Sequence, residues 1–207
     1  MLEAITYQDV LNYIKNNRLS EDTIGILITR PDLDTGKSIL KSLNYYHHLS
    51  GENMNFFLPG YGAYWYGNYS DGRVVTTIDG VEWSYSDKMF VKFTKQLETN
   101  CKWCYSGESE LLLLEYKNNE ISYDKVLRFY LDNMLRDDVI LSVPSFFQSL
   151  FRLCIGNNTL NRIGNDFGKN GFIQVTSQMI LDNVPKYFGK MIMQEKYFCT
   201  ANYTKHR

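Results

Sequence analysis

The clearest hydrophobic pattern lies between residues 24 and 62, where two short apolar runs flank one amphipathic stretch. The first run, Gly25 to Thr29, is too short and too evenly apolar for a helix, and Pro31 ends it. Apolar residues then recur at the helical spacing, and a second apolar run follows from Met54 to Leu58. The pattern predicts a βαβ unit, in which a helical crossover joins two parallel strands.

Later apolar runs predict further strands. Val74 to Ile78 and Val81 to Tyr85 flank the dipeptide Asp79-Gly80, which is the strongest short signal for a hairpin with a type I′ turn. The leucines at Leu111 to Leu114 fit a buried strand or a buried helix, because four leucines carry no period. As a strand, this run would be the neighbour of a second strand at Val126 to Leu131.

Together these elements predict a three-layer α/β domain with a mostly parallel central sheet, Rossmann-like or flavodoxin-like, that carries an inserted β-hairpin. We place this core domain at residues 1–155. From residue 156 the chain is richer in asparagine and glycine, so residues 156–207 are expected to form a C-terminal helical extension packed on the core. Because ligands of open α/β sheets bind beyond the carboxyl ends of the strands, we expect a site after Thr29 and Leu58.

Composition narrows the class of partner. The 207 residues include 22 basic and 23 acidic ones without a block of like charges, which opposes general nucleic-acid binding. No apolar run approaches the roughly 20 residues that span a bilayer, and the N-terminus lacks a signal-peptide pattern. We therefore expect a cytoplasmic protein without membrane contact. The Cys101-X-X-Cys104 pair lacks the second pair of a zinc site, so we expect no metal and no cofactor.

The segment after the first strand resembles a phosphate-binding P-loop over its last three residues, Gly36, Lys37 and Ser38. It departs from that motif at Pro31, where the motif has a glycine. The backbone amides at this helix start are expected to bind a single phosphate or carboxylate. The alternative is a helix start with no ligand and a solvated lysine.

Basic and aromatic residues near the ends of the two strands suggest a ligand. An arginine offers a planar fork to a phosphate, and an aromatic ring can stack on a base. The predicted ligand-binding residues are Arg30, Gly36, Lys37, Ser38, Gly60, Tyr61, Gly62, Trp65 and Trp103. The aromatic loop 61–69 also suits an alternative role as a contact with a protein partner or a second copy of the chain.

Glu108 and Glu110 lie beside a strongly apolar segment, where a partly desolvated carboxylate can act as an acid, a base or a cation stabiliser. The alternative is that they pair with a neighbouring lysine or arginine. Trp103-Cys104, shortly before these glutamates and the leucines, resembles the catalytic-helix region of Toll/interleukin-1 receptor (TIR) domains. The spacing departs from the TIR pattern, because the glutamates lie five and seven positions after Trp103.

The strand-first α/β arrangement with a downstream glutamate is also similar to nucleoside deoxyribosyltransferases. These resemblances imply a flavodoxin-like sheet and a hydrolase-type reaction in which Glu108 or Glu110 cleaves an N-glycosidic bond. The sequence thus predicts a domain that binds a nucleotide-derived small ligand and cleaves it. The alternative function is a non-catalytic protein-interaction or ligand-sensing module.

Overall fold

The computed structural model describes residues 2–4, 6–16, 22–50, 54–117, 120–154, 160–168 and 196–205. The strands are β1 (Leu2–Ala4), β2 (Asp22–Ile28), β3 (Asn55–Pro59), β4 (Tyr61–Ala63), β5 (Arg73–Ile78), β6 (Val81–Tyr85), β7 (Glu110–Lys117), β8 (Glu120–Tyr130) and β9 (Phe198–Ala201). The helices are α1 (Tyr7–Asn16), α2 (Asp34–Lys41), α3 (Leu43–Ser50), α4 (Asp87–Asn100), α5 (Leu131–Arg136), α6 (Val143–Cys154) and α7 (Leu160–Gly168).

A mixed six-stranded sheet forms the centre, in the order β1-β3-β2-β7-β8-β9. Strand β3 pairs in parallel with β1 and β2, whereas the pairs β2/β7, β7/β8 and β8/β9 are antiparallel. The predicted three-layer, mostly parallel Rossmann-like or flavodoxin-like sheet is therefore wrong. The physical reason is that β8 follows β7 without a helical crossover, and strands joined this closely pair antiparallel.

Several local predictions are confirmed. Strands β2 and β3 are parallel neighbours, with Ile24 opposite Asn55, and a helical crossover joins them. That crossover consists of α2 and α3 instead of one helix. The leucine run lies in β7, and β8 is its antiparallel neighbour. Asp79 and Gly80 have φ angles of 48° and 79°, as a type I′ turn requires, and they join β5 to β6.

Helices cover both faces of the parallel part of the sheet. Successive side chains of a strand point to opposite faces. Phe56 accordingly contacts Phe147 and Phe151 of α6, whereas Phe57 contacts Tyr13 of α1. A second sheet of three antiparallel strands, in the order β4-β6-β5, follows β3 directly.

The C-terminal part is described only in pieces. Strand β9 pairs with β8 at one edge of the central sheet, with Phe129 opposite Phe198. The domain boundary after residue 155 and most of the helical extension fall on residues 155–159 and 169–195, outside the described residues, so both stay predictions. No helix among the described ranges is long and apolar enough to cross a bilayer.

The β5–β6 turn gives a first test of the fold. Replacing Gly80 by alanine is expected to lower the free energy of unfolding by about 1 kcal/mol, because its left-handed backbone, with φ at 79°, places a Cβ in a strained position. Gly80→Asn should cost less, since asparagine tolerates this conformation. Urea denaturation measures both variants. An alanine variant at least as stable as the asparagine variant would contradict the turn.

Candidate functional site

Segments that are distant in sequence meet at one end of the central sheet. Strands β2 and β3 end there, whereas the antiparallel β7 begins there, with Ile28 opposite Glu110 and Glu110 opposite Tyr130. The loop after β2, the loop after β3 and the residues around the start of β7 are consequently neighbours. This is the end of the sheet at which the sequence predicts a site.

Arg30, just beyond β2, lies between two carboxylates at this end of the sheet. Its Nε atom is 3.4 Å from Oδ1 of Asp32, and its Nη2 atom is 3.3 Å from Oδ1 of Asp87. Nη1 of Arg73 donates to the second oxygen of Asp87 at 3.0 Å. Asp87 is the first residue of α4, and the hydroxyl of Ser86 accepts a hydrogen bond from the amide of Met89 to cap that helix. One carboxylate therefore holds two guanidinium groups.

A row of aromatic rings forms the wall behind Arg30. Tyr85 lies 4.7 Å from Tyr61 and 6.0 Å from Phe90, and Phe90 lies 5.4 Å from Tyr105, measured between ring centroids. Two buried phenol oxygens here, those of Tyr85 and Tyr105, make no well-formed hydrogen bond among the described residues, although Tyr85 lies beside Arg30 and Asp87. We call the group formed by Arg30, Arg73, Tyr85, Asp87 and Tyr105 the Arg30 cleft.

The Arg30 cleft is rich in hydrogen-bond donors. Burial, reinforced by the charge of Asp87, raises the pKa of Tyr85 above its ordinary value. Burial also raises the pKa of Tyr105 to about 12. Both phenols therefore keep their protons at neutral pH and can donate them, as the guanidinium of Arg30 does. A ligand that fits this arrangement supplies acceptor oxygens.

Glu110, a predicted catalytic residue, is fully buried, and both of its carboxylate oxygens accept hydrogen bonds. Oε2 accepts from Nε1 of Trp103 at 3.2 Å and from Nε of Arg128. Oε1 accepts from the amide of Ser106 at 3.4 Å and from its hydroxyl at 3.1 Å. Arg128 also donates to the Cys104 carbonyl, so this ion pair ties β7 and β8 to the loop before them.

Glu108, the second predicted catalytic residue, lies in a neighbouring pocket and pairs with Arg136 at 2.5 Å. This pocket has a volume of about 520 Å³ and is lined by Leu33, Asp34, Thr35, Glu108, Asp132, Leu135 and Arg136. Asp132 accepts hydrogen bonds from the hydroxyl of Thr35 and the amide of Ser109. A carboxylate of the protein itself thus lies at the start of α2, where the sequence predicts the anion of a ligand.

The other residues predicted at the start of α2 are engaged within the protein. The amide of Lys37 donates to the Leu33 carbonyl at 2.8 Å, and its ammonium group contacts Asp34 at the same distance. Gly36 is buried against the backbone of Arg30, and Ser38 is half-buried in α2. These residues lie outside the Arg30 cleft.

The predicted aromatic ligand-binding residues are buried in protein contacts. Tyr61 donates to the Thr29 carbonyl at 3.2 Å, and Trp65 covers Gly62 while contacting Tyr69. Trp103 contacts Glu110, as described above. The carbonyl of Gly60 accepts a hydrogen bond from the amide of Ser86 at 2.9 Å, which brings the start of β4 close to the start of α4. Of the predicted ligand-binding residues, Arg30 alone contributes its side chain to the Arg30 cleft.

Four members of the cleft are absent from the sequence prediction: Arg73, Tyr85, Asp87 and Tyr105. The predicted hairpin places Tyr85 at the end of a strand, and in the structure Asp87 follows as the first residue of α4. Their approach to Arg30 depends on how the second sheet packs on the first, and no local pattern encodes that packing.

No protein-family model, no curated protein and no solved structure matches this chain. The fold and the cleft together define a mixed α/β domain with a donor-rich site at one end of its sheet.

Proposed function

We propose that this protein binds a small ligand through one anionic group, a phosphate or a carboxylate, in the Arg30 cleft, and that it does not transform the ligand. The observation that carries the proposal is a pair of buried phenol groups beside the guanidinium of Arg30: the oxygens of Tyr85 and Tyr105 make no well-formed hydrogen bond within the part of the chain that the structure describes. Each such atom costs about 1–3 kcal/mol unless a partner satisfies it. Ligand oxygens would supply that partner.

An anion is the favoured ligand because the two phenols and the guanidinium of Arg30 are hydrogen-bond donors. Arg30 and Arg73 add two guanidinium groups, which bind planar or tetrahedral oxyanions through paired hydrogen bonds. The low polarity of the aromatic wall strengthens such charge-assisted bonds.

A nucleotide is the form of this ligand that we propose. Tyr64 and Tyr66 are 76% and 72% exposed on the loop between β4 and β5. Asp71 of the same loop accepts hydrogen bonds from the hydroxyl of Ser86 and the amide of Lys88. These contacts tie the loop to the start of α4, so its exposed rings are available to stack on a base near the cleft.

Two ion pairs favour binding over glycosidic cleavage. A catalytic carboxylate must reach the substrate or stabilise a cation beside it. Glu110 is buried and accepts four hydrogen bonds from protein groups. Glu108 pairs with Arg136 in the neighbouring pocket. We therefore propose that the protein is a ligand-sensing module and not a hydrolase.

Removing a single phenol oxygen tests the cleft. Tyr85→Phe should weaken the binding of adenosine 5′-monophosphate about three- to tenfold, because one hydrogen bond to the ligand is lost. The same change should leave the melting temperature equal or higher, since the deleted oxygen makes no well-formed hydrogen bond in the described part of the free protein. Isothermal titration calorimetry and thermal denaturation measure the two effects.

Tyr46→Phe is the matched control. Its phenol oxygen is also buried and makes no well-formed hydrogen bond among the residues described, but its ring packs against Phe147 of α6. It should leave the affinity unchanged. Wild-type protein that binds neither adenosine 5′-monophosphate, inorganic phosphate nor succinate would contradict the proposed site. Release of adenine from nucleotides, detected by mass spectrometry and abolished by Glu108→Gln, would contradict the non-catalytic part.

A further inference from the structure

Asp87 lies where the anionic group of a ligand is expected. Its two carboxylate oxygens bridge Arg30 and Arg73, at 3.3 Å and 3.0 Å. It also lies beside Tyr85, whose phenol oxygen is buried and makes no well-formed hydrogen bond in the described ranges. In the free protein, the carboxylate of Asp87 thus occupies the position between the two guanidinium groups.

From this arrangement, and building on the proposed function, we propose that Asp87 is an internal competitor, and that the ligand is a phosphomonoester able to displace it. The phosphate takes the place of the Asp87 carboxylate between Arg30 and Arg73 and accepts a hydrogen bond from Tyr85.

The environment of Asp87 permits this exchange. Its side chain is 42% exposed, so the carboxylate can turn into water without becoming a buried, unpaired charge. The start of α4 does not depend on it, because Ser86 and Asp71 accept hydrogen bonds from the amides of Met89 and Lys88. When Asp87 has turned away, the carboxylate of Asp32 remains beside Arg30 and repels an anionic ligand there.

Charge decides which ligand can compete. A carboxylate ligand carries the same single charge as Asp87 and gains little by replacing it. A phosphomonoester carries a charge of about −1.5 to −2 at neutral pH and offers three acceptor oxygens. Those oxygens can contact two guanidinium groups and one phenol at once, as the geometry of the Arg30 cleft requires.

Asp87→Asn tests the inference, because it keeps the size of the side chain and removes the competing charge. Calorimetry should show adenosine 5′-monophosphate binding about tenfold tighter than to wild type, since more of the protein has free arginines. The variant should also bind succinate, which wild type binds far more weakly than the nucleotide. Asp87→Ser, which suits a helix start, serves as a second variant and should show the same gain.

Asp9→Asn is the charge-matched control. Asp9 lies in the first turn of α1. The neighbouring Tyr7 contacts Gln96, near the end of α4 that is opposite to Asp87. The substitution of Asp9 should therefore leave the affinity for adenosine 5′-monophosphate unchanged. If wild type binds adenosine 5′-monophosphate and neither Asp87→Asn nor Asp87→Ser binds it more tightly, the role of Asp87 is overturned and the proposed function stands. An equal gain from Asp9→Asn would also overturn that role. If neither wild type nor the Asp87 variants bind any of these anions, the proposed function fails as well.

Discussion

Replacing Arg128 by alanine is expected to lower the free energy of unfolding by about 3–5 kcal/mol, because it leaves the charge of Glu110 buried without its cationic partner. Glu110 is fully buried, and the side chain of Arg128 is only 10% exposed. Trp103 and Ser106 would remain as neutral donors to the carboxylate. Neutral hydrogen bonds do not replace the charge of a guanidinium in a site closed to water.

Urea denaturation of three variants measures this effect. Glu110→Gln should also destabilise the fold, because a buried guanidinium then lacks its carboxylate. The double variant Glu110→Gln with Arg128→Met should cost less than the sum of the two single changes, since the partners are lost together. Arg136→Ala is the matched control: it removes the arginine of the exposed Glu108 pair and should change stability little. Equal losses in Arg128→Ala and Arg136→Ala would contradict the structural role of Glu110.

The two glutamates illustrate what the sequence leaves undecided. Glu108 and Glu110 lie two positions apart beside the same apolar run, a spacing that puts both on one face of a strand and separates them on a helix. The structure gives them different surroundings, because Glu110 faces Arg128 on the neighbouring strand β8 and Glu108 faces Arg136 on α5. Strand register and the position of α5 decide this difference, and neither is visible in the local sequence.

The fold was predictable where local pattern determines structure. The positions of β2 and β3 follow from their apolar runs, and the turn between β5 and β6 follows from Asp79-Gly80, because glycine accepts a positive φ. For Leu111 to Leu114 the sequence leaves a strand and a helix open. The direction of β7 was not predictable. Its residues Leu111 to Leu114 are buried whichever way the strand runs, so an antiparallel strand looks like a parallel one in sequence.

The site was predictable only in part, for a related reason. Arg30 directly follows a strand, so its position at the end of the sheet can be inferred. Its partners Asp87 and Tyr105 lie far along the chain, and the packing of α4 brings them close. The glycine and lysine at the start of α2 resemble a phosphate site in sequence, yet Asp132 occupies that helix start.

Gly36→Ala should reveal what this glycine does, with an expected loss of about 3 kcal/mol or more in the free energy of unfolding. Helix propensity alone predicts the opposite sign, because alanine favours a helix over glycine by about 1 kcal/mol. A Cβ at position 36 would lie 1.9 Å from the carbonyl oxygen of Arg30 and 2.9 Å from its carbonyl carbon. These are backbone atoms, so relief requires α2 and the end of β2 to move apart.

The same movement would displace Arg30 from its position between Asp32 and Asp87, so ligand binding should fall together with stability. Urea denaturation and calorimetry with adenosine 5′-monophosphate measure the two losses. Gly164→Ala in α7 is the matched control, because its Cβ would meet mainly the flexible end of the Leu127 side chain, at 3.2 Å. That change should alter stability by less than about 1 kcal/mol. A Gly36→Ala variant as stable as the Gly164→Ala variant would show that the close contact between α2 and Arg30 does not exist.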